Sequence, residues 1–208
     1  VNLIPASYIP GLPASVLVGW QPITPGLSPE MLSGNGLTEY QKISSEQRKH
    51  EFLTARTLLR NMMLELGWDP ATWRLEKEPL GKPYLTNGKE NRYVSFSHSQ
   101  HTVFAALSET VDLGIDSELT RRQVNPEIVR RILSENEWKV MGEDDPITLW
   151  TVKEAGVKCL GTGLRTNLKE LEMTRTGDHT FTIQINKEPG MQAVSFHFED
   201  HTLAIAYH

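Results

Sequence analysis

The sequence predicts an α+β fold of two pseudo-symmetric halves, each a small antiparallel sheet packed against a long helix, with the active site in the cleft between them. Three observations carry this. Two long stretches have helical apolar periodicity, about Ser44–Leu66 and Ile147–Leu160. Short strand-like runs follow each of them. Finally, residues 94–107 (VSFSHSQHTVFAAL) and 194–207 (VSFHFEDHTLAIAY) agree at six of fourteen positions without a gap. Read as a duplication, the echo divides the chain into residues 1–110 and 111–208. The other reading is coincidence between two hairpins of similar composition. A duplicated fold leaves a cleft between its halves, a common place for ligands.

The elements follow in order. Residues 1–43 are rich in Pro and Gly, with one strand at Ser15–Trp20. In the first long helix Ser44 or Ser45 can cap, Phe52, Ala55, Leu59, Met62, Met63 and Leu66 form the apolar face, and Gly67 ends it. Pro79–Arg92 (PLGKPYLTNGKENR) reads as loop. Strands are expected at Tyr93–Ser97, His101–Leu107 and Val111–Glu118. Helices follow at about Pro126–Leu133 and Ser134–Gly142, with Ser134 and Glu137 placed for a capping box. The second long helix closes at Gly161, with Trp150, Val157 and Leu160 as its stripe. Strands at Leu168–Thr174, Thr180–Asn186, Gln192–Phe198 and Thr202–Tyr207 complete the chain.

At 208 residues there is room for one large domain or two small ones. The apolar runs are too short to span a membrane. The first twenty residues carry no Lys or Arg and are interrupted by Pro5, Pro10 and Pro13, unlike a signal peptide, so the expected compartment is the cytoplasm. Cys159 stands alone, which excludes an internal disulfide framework and a cysteine zinc site; it reads as a small hydrophobe. With 26 acids against 21 bases the net charge is −5, so non-specific grip on nucleic acid is not expected. Any anionic ligand needs a local cluster of bases.

Four groups of residues that could carry chemistry stand out. In Leu113–Glu118 (LGIDSE), strand alternation puts Asp116 and Glu118 on one side, about 7 Å apart at the Cα. Like charges that close suit a hard divalent cation, or a solvated strand edge. In Trp150–Gly163 (WTVKEAGVKCLGTG), Lys153 and Glu154 are neighbours and Lys158 lies one turn on. That is either an exposed Glu–Lys pair or the charge set of a magnesium–pyrophosphate site. Gly81-Lys82-Pro83 presents a lysine from a stiff turn, and Phe96-Ser97-His98-Ser99 offers phosphate donors. Hydrolysis by a Ser–His pair is disfavoured, because neighbours on a strand point apart and no glycine elbow surrounds the serines. Arg48, Lys49, His50 and Arg56 crowd the first long helix, with Arg48 and Arg56 on nearly one face.

Taken in order, Gly81-Lys82-Pro83, Phe96-Ser97-His98-Ser99, Leu113–Glu118, Trp150–Ala155 with Lys158, and Gly161-Thr-Gly163 resemble the 4′-phosphopantetheinyl transferase superfamily, in particular its monomeric two-half class. The resemblance spans about residues 45–172. It implies transfer of the phosphopantetheine arm of coenzyme A to a serine of an acyl or peptidyl carrier protein, with magnesium (or manganese in its place) and release of adenosine 3′,5′-bisphosphate. By the same resemblance Asp116, Glu118 and Glu154 correspond to metal ligands. Lys158 corresponds to the pyrophosphate lysine, and Arg48, Arg56, Lys82, Ser97, His98, Asp116 and Lys153 belong to the coenzyme A site. Arg56 falls in an E-F-x-x-x-R pattern with Glu51 and Phe52 and, like His98, is expected near the 3′-phosphate. Ser117 stands where the family commonly has Ile or Val, and is expected to point away from the metal. Gly156 is a costly interior helix residue, which suggests a close approach by another element.

Glu154 and Lys158 are the expected catalytic pair, with Glu154 or a metal-bound water taking the serine proton. Arg121, Arg122, Arg130 and Arg131 are candidates for carrier docking. Two rival functions use the same residues: a magnesium-dependent nucleotide phosphoesterase, and a non-catalytic coenzyme A-binding module. No membrane and no nucleic acid partner are expected, and the two fused halves suggest a monomer.

Overall fold

Two antiparallel sheets and five helices make up the computed structural model, which describes residues 1–185 and 190–208. The first sheet holds β1 (Asn2–Leu3), β2 (Val16–Pro22), β3 (Arg74–Lys77), β4 (Pro83–Thr86), β5 (Asn91–Ser99) and β6 (Thr102–Ser108), in the order β1-β2-β6-β5-β4-β3. The second holds β7 (Leu113–Leu119), β8 (Leu171–Arg175), β9 (Thr180–Ile185), β10 (Met191–Phe198) and β11 (His201–Tyr207), in the order β7-β11-β10-β9-β8. The helices are α1 (Gly34–Lys42), α2 (Glu46–Glu65), α3 (Pro126–Ile132), α4 (Glu135–Met141) and α5 (Pro146–Leu160). This is the α+β arrangement expected from the sequence.

Local chemistry explains the two long helices. Ser45 accepts the Arg48 N–H at 3.4 Å and starts α2. Asp145 caps Ile147 and Thr148 at the start of α5, Pro146 occupies the first turn, and Gly161 ends the helix at φ 72°. The expected capping box forms at α4. Leu58, Leu59 and Met62 of α2 pack on Val94, Val103, Ala105 and Leu107. Leu149, Val152 and Ala155 of α5 pack on Ala193, Ala204 and Ala206. A third core joins the sheets: Phe104 and Ala106 meet Ile115, Val194, Phe196, Leu203 and Ile205. Each large side chain here contributes ~1.5–3 kcal/mol, so the shared core outweighs any single polar link between the sheets.

Several expectations need correction. Helix α1 lies in the segment read as Pro/Gly-rich, and β3 and β4 border or occupy the stretch read as loop. On α2 the fully buried Leu58 was not in the expected face, Phe52 lines a cavity, and Leu66 is exposed. On α5, Trp150 and Leu160 are only partly buried, while Leu149 and Val152 are fully buried. A 3-10 turn at Leu168–Glu170 precedes β8, and Asn186 lies outside the described residues.

The sequence echo does not mark equivalent positions. The β5–β6 hairpin turns after Ser99 pairs with Thr102, whereas β10–β11 turns after Phe198 pairs with His201. Equivalent positions are therefore offset by 99, against 100 in the echo. A one-residue slip flips every side chain. Val94 faces α2, while its echo Val194 faces the other sheet. The halves resemble each other in architecture, and the six identities do not carry that likeness.

Helix α5 lies on β7 through a glycine. A Cβ at Gly114 would come within 2.3 Å of both the Ala155 carbonyl oxygen and the Cys159 nitrogen, which are helix backbone. At Gly156 the added carbon would meet only the tips of Ile183 and Leu171, at 3.0 Å. Gly114→Ala should cost about 2–3 kcal/mol in urea unfolding, because backbone cannot yield. Gly156→Ala should cost less than about 1 kcal/mol, since gained helix propensity offsets the crowding. Equal costs would show that α5 does not depend on that contact.

Candidate active site

A cavity of about 740 Å³ opens between the halves. Helix α2 contributes Arg48, Glu51, Phe52 and Arg56 to its wall, the β3–β4 turn Lys82, and β5 Ser97 and His98. From the second half come Trp150, Glu154 and Lys158 of α5 and the stretch from Gly161 to Leu168.

The floor is the seam where the halves touch. Strand β7 is the edge of its sheet, so alternate backbone groups need partners from elsewhere. Serines of β5 supply them. The Ile115 N–H donates to Ser95 Oγ at 3.1 Å, and the Ser117 N–H to Ser97 Oγ at 3.0 Å. Ser117 faces this seam, its own hydroxyl 3.0 Å from Ser97 Oγ. Lys158 Nζ donates to the carbonyls of Phe96 (3.1 Å) and Ile115 (2.9 Å) and to Asp116 Oδ1 (2.8 Å). All three ammonium donors are thus engaged within the protein.

Gly114, Asp116 and Glu118 share the α5 side of β7, as alternation requires; Asp116 stands opposite Ala204 and Glu118 opposite Thr202. Asp116 Oδ1 also accepts from Ser97 Oγ at 3.2 Å, while Oδ2 is buried with no hydrogen-bond partner among the described residues. Glu154 is pushed above the ordinary carboxylate range, first by burial and then by the Asp116 charge; Lys158 opposes this and Glu118 adds to it. The three carboxylates therefore share one electrostatic neighbourhood. Glu118 is ion-paired with Arg122 one helical-type spacing away.

Among the described residues, no three His, Cys, Asp or Glu side chains already stand in metal-binding array. The donor chemistry nonetheless fits magnesium. Asp116 Oδ2 is a buried carboxylate oxygen without a partner, an expensive state that a cation relieves. Magnesium takes few protein oxygens and keeps water and phosphate in its remaining positions.

The opposite wall is cationic. The Arg56 guanidinium lies 4.1 Å from the Phe52 ring centre and 5.3 Å from that of Phe96. Burial lowers its pKa to about 10, so it stays charged at neutral pH. Its nearest carboxylate oxygen, Glu39 Oε2, is 3.7 Å away, beyond hydrogen-bond reach. His98 Nε2 is 3.3 Å from Glu51 Oε2, and Arg48 lines the same side. The ammonium of Lys82 is bound to Asp112 and to the Cys159 carbonyl.

Lys153 does not join this group. It is fully buried, 2.6 Å from Glu137 Oε1, and donates to the carbonyls of Leu168 and Leu171. Glu137 also accepts the N–H groups of Ser134 and Met173. A residue adjacent to Glu154 must point to another face of the helix, and this face is the core. The sequence showed Glu137 as a capping residue but not its partner sixteen positions on. Ser95 and Asp112 were likewise missed as functional neighbours. Three of the four expected docking arginines are engaged locally: Arg121 is 3.7 Å from Asp200, Arg122 meets Glu118, and Arg130 lies 5.2 Å from the Trp138 ring. Cys159 is buried and its thiol is pushed up to about 12, as suits a small hydrophobe.

Truncating Lys153 leaves a buried, unpaired Glu137. Lys153→Ala should cost about 3–5 kcal/mol, and pairing it with Glu137→Gln should recover part of that in a double-mutant cycle. Additive losses in urea unfolding would refute the pair.

Fold and cavity together define the class, a two-half α+β protein with carboxylates on one side of its cleft and guanidinium groups on the other. Residues 112–207 match the family model of the 4′-phosphopantetheinyl transferase superfamily. The chain is 27% identical over 161 residues to 4′-phosphopantetheinyl transferase HetI of Nostoc sp., covering 70% of this chain and 65% of HetI. It is 27% identical over 167 residues to slr0495 of Synechocystis sp., provisionally named for the same activity, covering 73% and 65%. It is 28% identical over 141 residues to the L-aminoadipate-semialdehyde dehydrogenase-phosphopantetheinyl transferase of Xenopus laevis, covering 58% and 46%. The matches span less than two thirds of these relatives' own lengths.

Proposed function

We propose that the protein transfers the 4′-phosphopantetheine group of coenzyme A to a serine of an acyl or peptidyl carrier protein, releasing adenosine 3′,5′-bisphosphate. The observation that carries this reading is the buried Asp116 Oδ2 at the seam, unpartnered among the described residues, with Glu154 lining the cavity and raised first by burial and then by the Asp116 charge. The match of residues 112–207 to the superfamily model supports it. Asp116, Glu118 and Glu154 would hold magnesium, which when bound supplies positive charge to the diphosphate oxygens. The cytoplasm and a monomeric state belong to the same proposal; no helix among the described residues is long and apolar enough to cross a membrane.

The chain's own residues divide the remaining work. Arg56, held between two aromatic rings and short of a hydrogen-bonded carboxylate, is suited to the 3′-phosphate, with His98 and Arg48 beside it. Lys158 supports the diphosphate by its field, since its N–H donors are engaged. The carrier serine oxygen bonds to the phosphorus that bears the pantetheine arm. The bond from that phosphorus to the bridging oxygen breaks, and the bisphosphate leaves with the electron pair. The serine proton passes to Glu154, whose raised affinity for protons suits a general base.

Incubation with coenzyme A, magnesium and an apo carrier protein should add about 340 Da to the carrier, the mass of the transferred group. Hydrolysis of coenzyme A with an unmodified carrier would overturn the reading in favour of a phosphoesterase.

Glu154→Gln should lower turnover by about 10²–10⁴-fold while leaving coenzyme A binding nearly unchanged. It should also raise the urea midpoint at neutral pH. A carboxyl with a raised folded pKa stabilises the fold below its ordinary value of 4.5, and that contribution is lost as pH rises through the raised value. The stability gain should therefore vanish in acid. Near-normal carrier labelling by the variant would remove Glu154 from the chemistry. Arg56→Gln and His98→Ala should weaken coenzyme A by about tenfold or more, and its 3′-dephospho analogue much less, in calorimetry. Equal loss for both ligands would place the 3′-phosphate elsewhere.

A further inference from the structure

Lys82 stands on the first half, but its ammonium is bound by the second. Nζ donates to Asp112 Oδ1 at 2.5 Å and to the carbonyl of Cys159. That carbonyl lies in the last turn of α5, where unpaired carbonyls gather partial negative charge. The Lys82 side chain is only 8% exposed, against 31% for Asp112. Its stem crosses Gly161, where a Cβ would come within 2.8 Å of Lys82 Cδ, and the positive φ there already excludes most side chains. Asp112 is itself anchored, since its carbonyl accepts the His208 N–H at 3.1 Å and the Cys159 thiol at 3.8 Å. Lys82 and Gly161 both line the cavity.

We propose that Lys82 and Asp112 form a clasp between the halves, and that Asp112 is a positioning residue for coenzyme A binding. The clasp fixes the distance from the Gly81–Pro83 turn to the end of α5, and so the width of the cavity at that end. Lys82 then serves the ligand through its stem and its placement, while its charge is neutralised by Asp112. The ligand part of this inference rests on the coenzyme A reading of the cavity.

The two roles of Lys82 predict opposite signs for one substitution. If the ammonium were a phosphate donor, removing the Asp112 charge would free it and lessen repulsion, and coenzyme A would bind as well or better. If the pair is a clasp, removing that charge loosens the cavity and binding weakens.

The experiment is a double-mutant cycle with Asp112→Asn, Lys82→Met and the double variant, read by calorimetry with coenzyme A and by urea unfolding. Each single variant should weaken coenzyme A by about tenfold, and the double variant should be no weaker than either. The unfolding midpoints should show the same non-additivity, and Asp112→Glu should restore part of the affinity. Unchanged or tighter binding by Asp112→Asn would overturn the clasp and make Lys82 a phosphate ligand. Failure of the wild-type protein to bind coenzyme A would refute the ligand reading instead. The unfolding cycle then decides the clasp alone, with additive losses overturning it.

Discussion

One edge strand sets the terms for the rest of the molecule. Strand β7 has no neighbour on its outer side within its own sheet, so its outward N–H groups at Ile115 and Ser117 must find acceptors. An edge left bare would be wetted or would recruit another chain. Here Ser95 and Ser97 of β5 supply hydroxyls, and Lys158 reaches across to the Phe96 and Ile115 carbonyls. The halves are joined by side-chain hydrogen bonds where a continuous ladder would otherwise run. That choice leaves space. Two strands joined through serines stand farther apart than directly bonded strands, and the acidic face of β7 borders the opening.

The same constraint explains why the charged residues of the cleft are held so firmly. Lys158 pairs with Asp116 and two carbonyls, and Lys82 with Asp112 and another. A cation with its donors satisfied still projects a field, and it loses little entropy when an anion arrives. Asp116 is the exception. Among the described residues, one of its oxygens has two partners and the other has none. Burying a carboxylate oxygen in that state destabilises the fold unless a further ligand completes it. The raised affinity of Glu154 for protons follows from the same crowding.

What the sequence revealed depended on how local the cause was. The limits of α5 follow from Asp145, Pro146 and Gly161, whose roles are fixed within a turn of chain, so the helix was legible almost to the residue. Helix α1 was not, because Gly34 and Gly36 weaken the pattern and none of its residues is buried. Strands β3 and β4 have four residues each and sit among turn-forming residues, so their pairing comes from neighbours in the sheet. In the site, alternation placed Asp116 and Glu118 on one side of β7. It could not tell that Lys153 turns into the core, because Glu137, the group that makes that burial tolerable, sits on another helix.

The echo between residues 94–107 and 194–207 shows the limit most sharply. Hydrophobic alternation and a two-residue turn recur in any buried hairpin, so identities accumulate without common register. Register is fixed by what each face meets. In the first half Val94, Val103 and Ala105 meet the bulky stripe of α2, with Leu58 and Met62. In the second, Ala193, Ala204 and Ala206 meet α5, whose backbone descends onto Gly114. Small residues on that face of β10 and β11 are what bring α5 close to the sheet, and closeness carries Glu154 and Lys158 to the seam. Larger residues there would lift the helix and separate its charges from Asp116. The asymmetry of the two halves, more than their likeness, therefore places the carboxylates and Lys158 on the second half and leaves the first to supply the cationic wall.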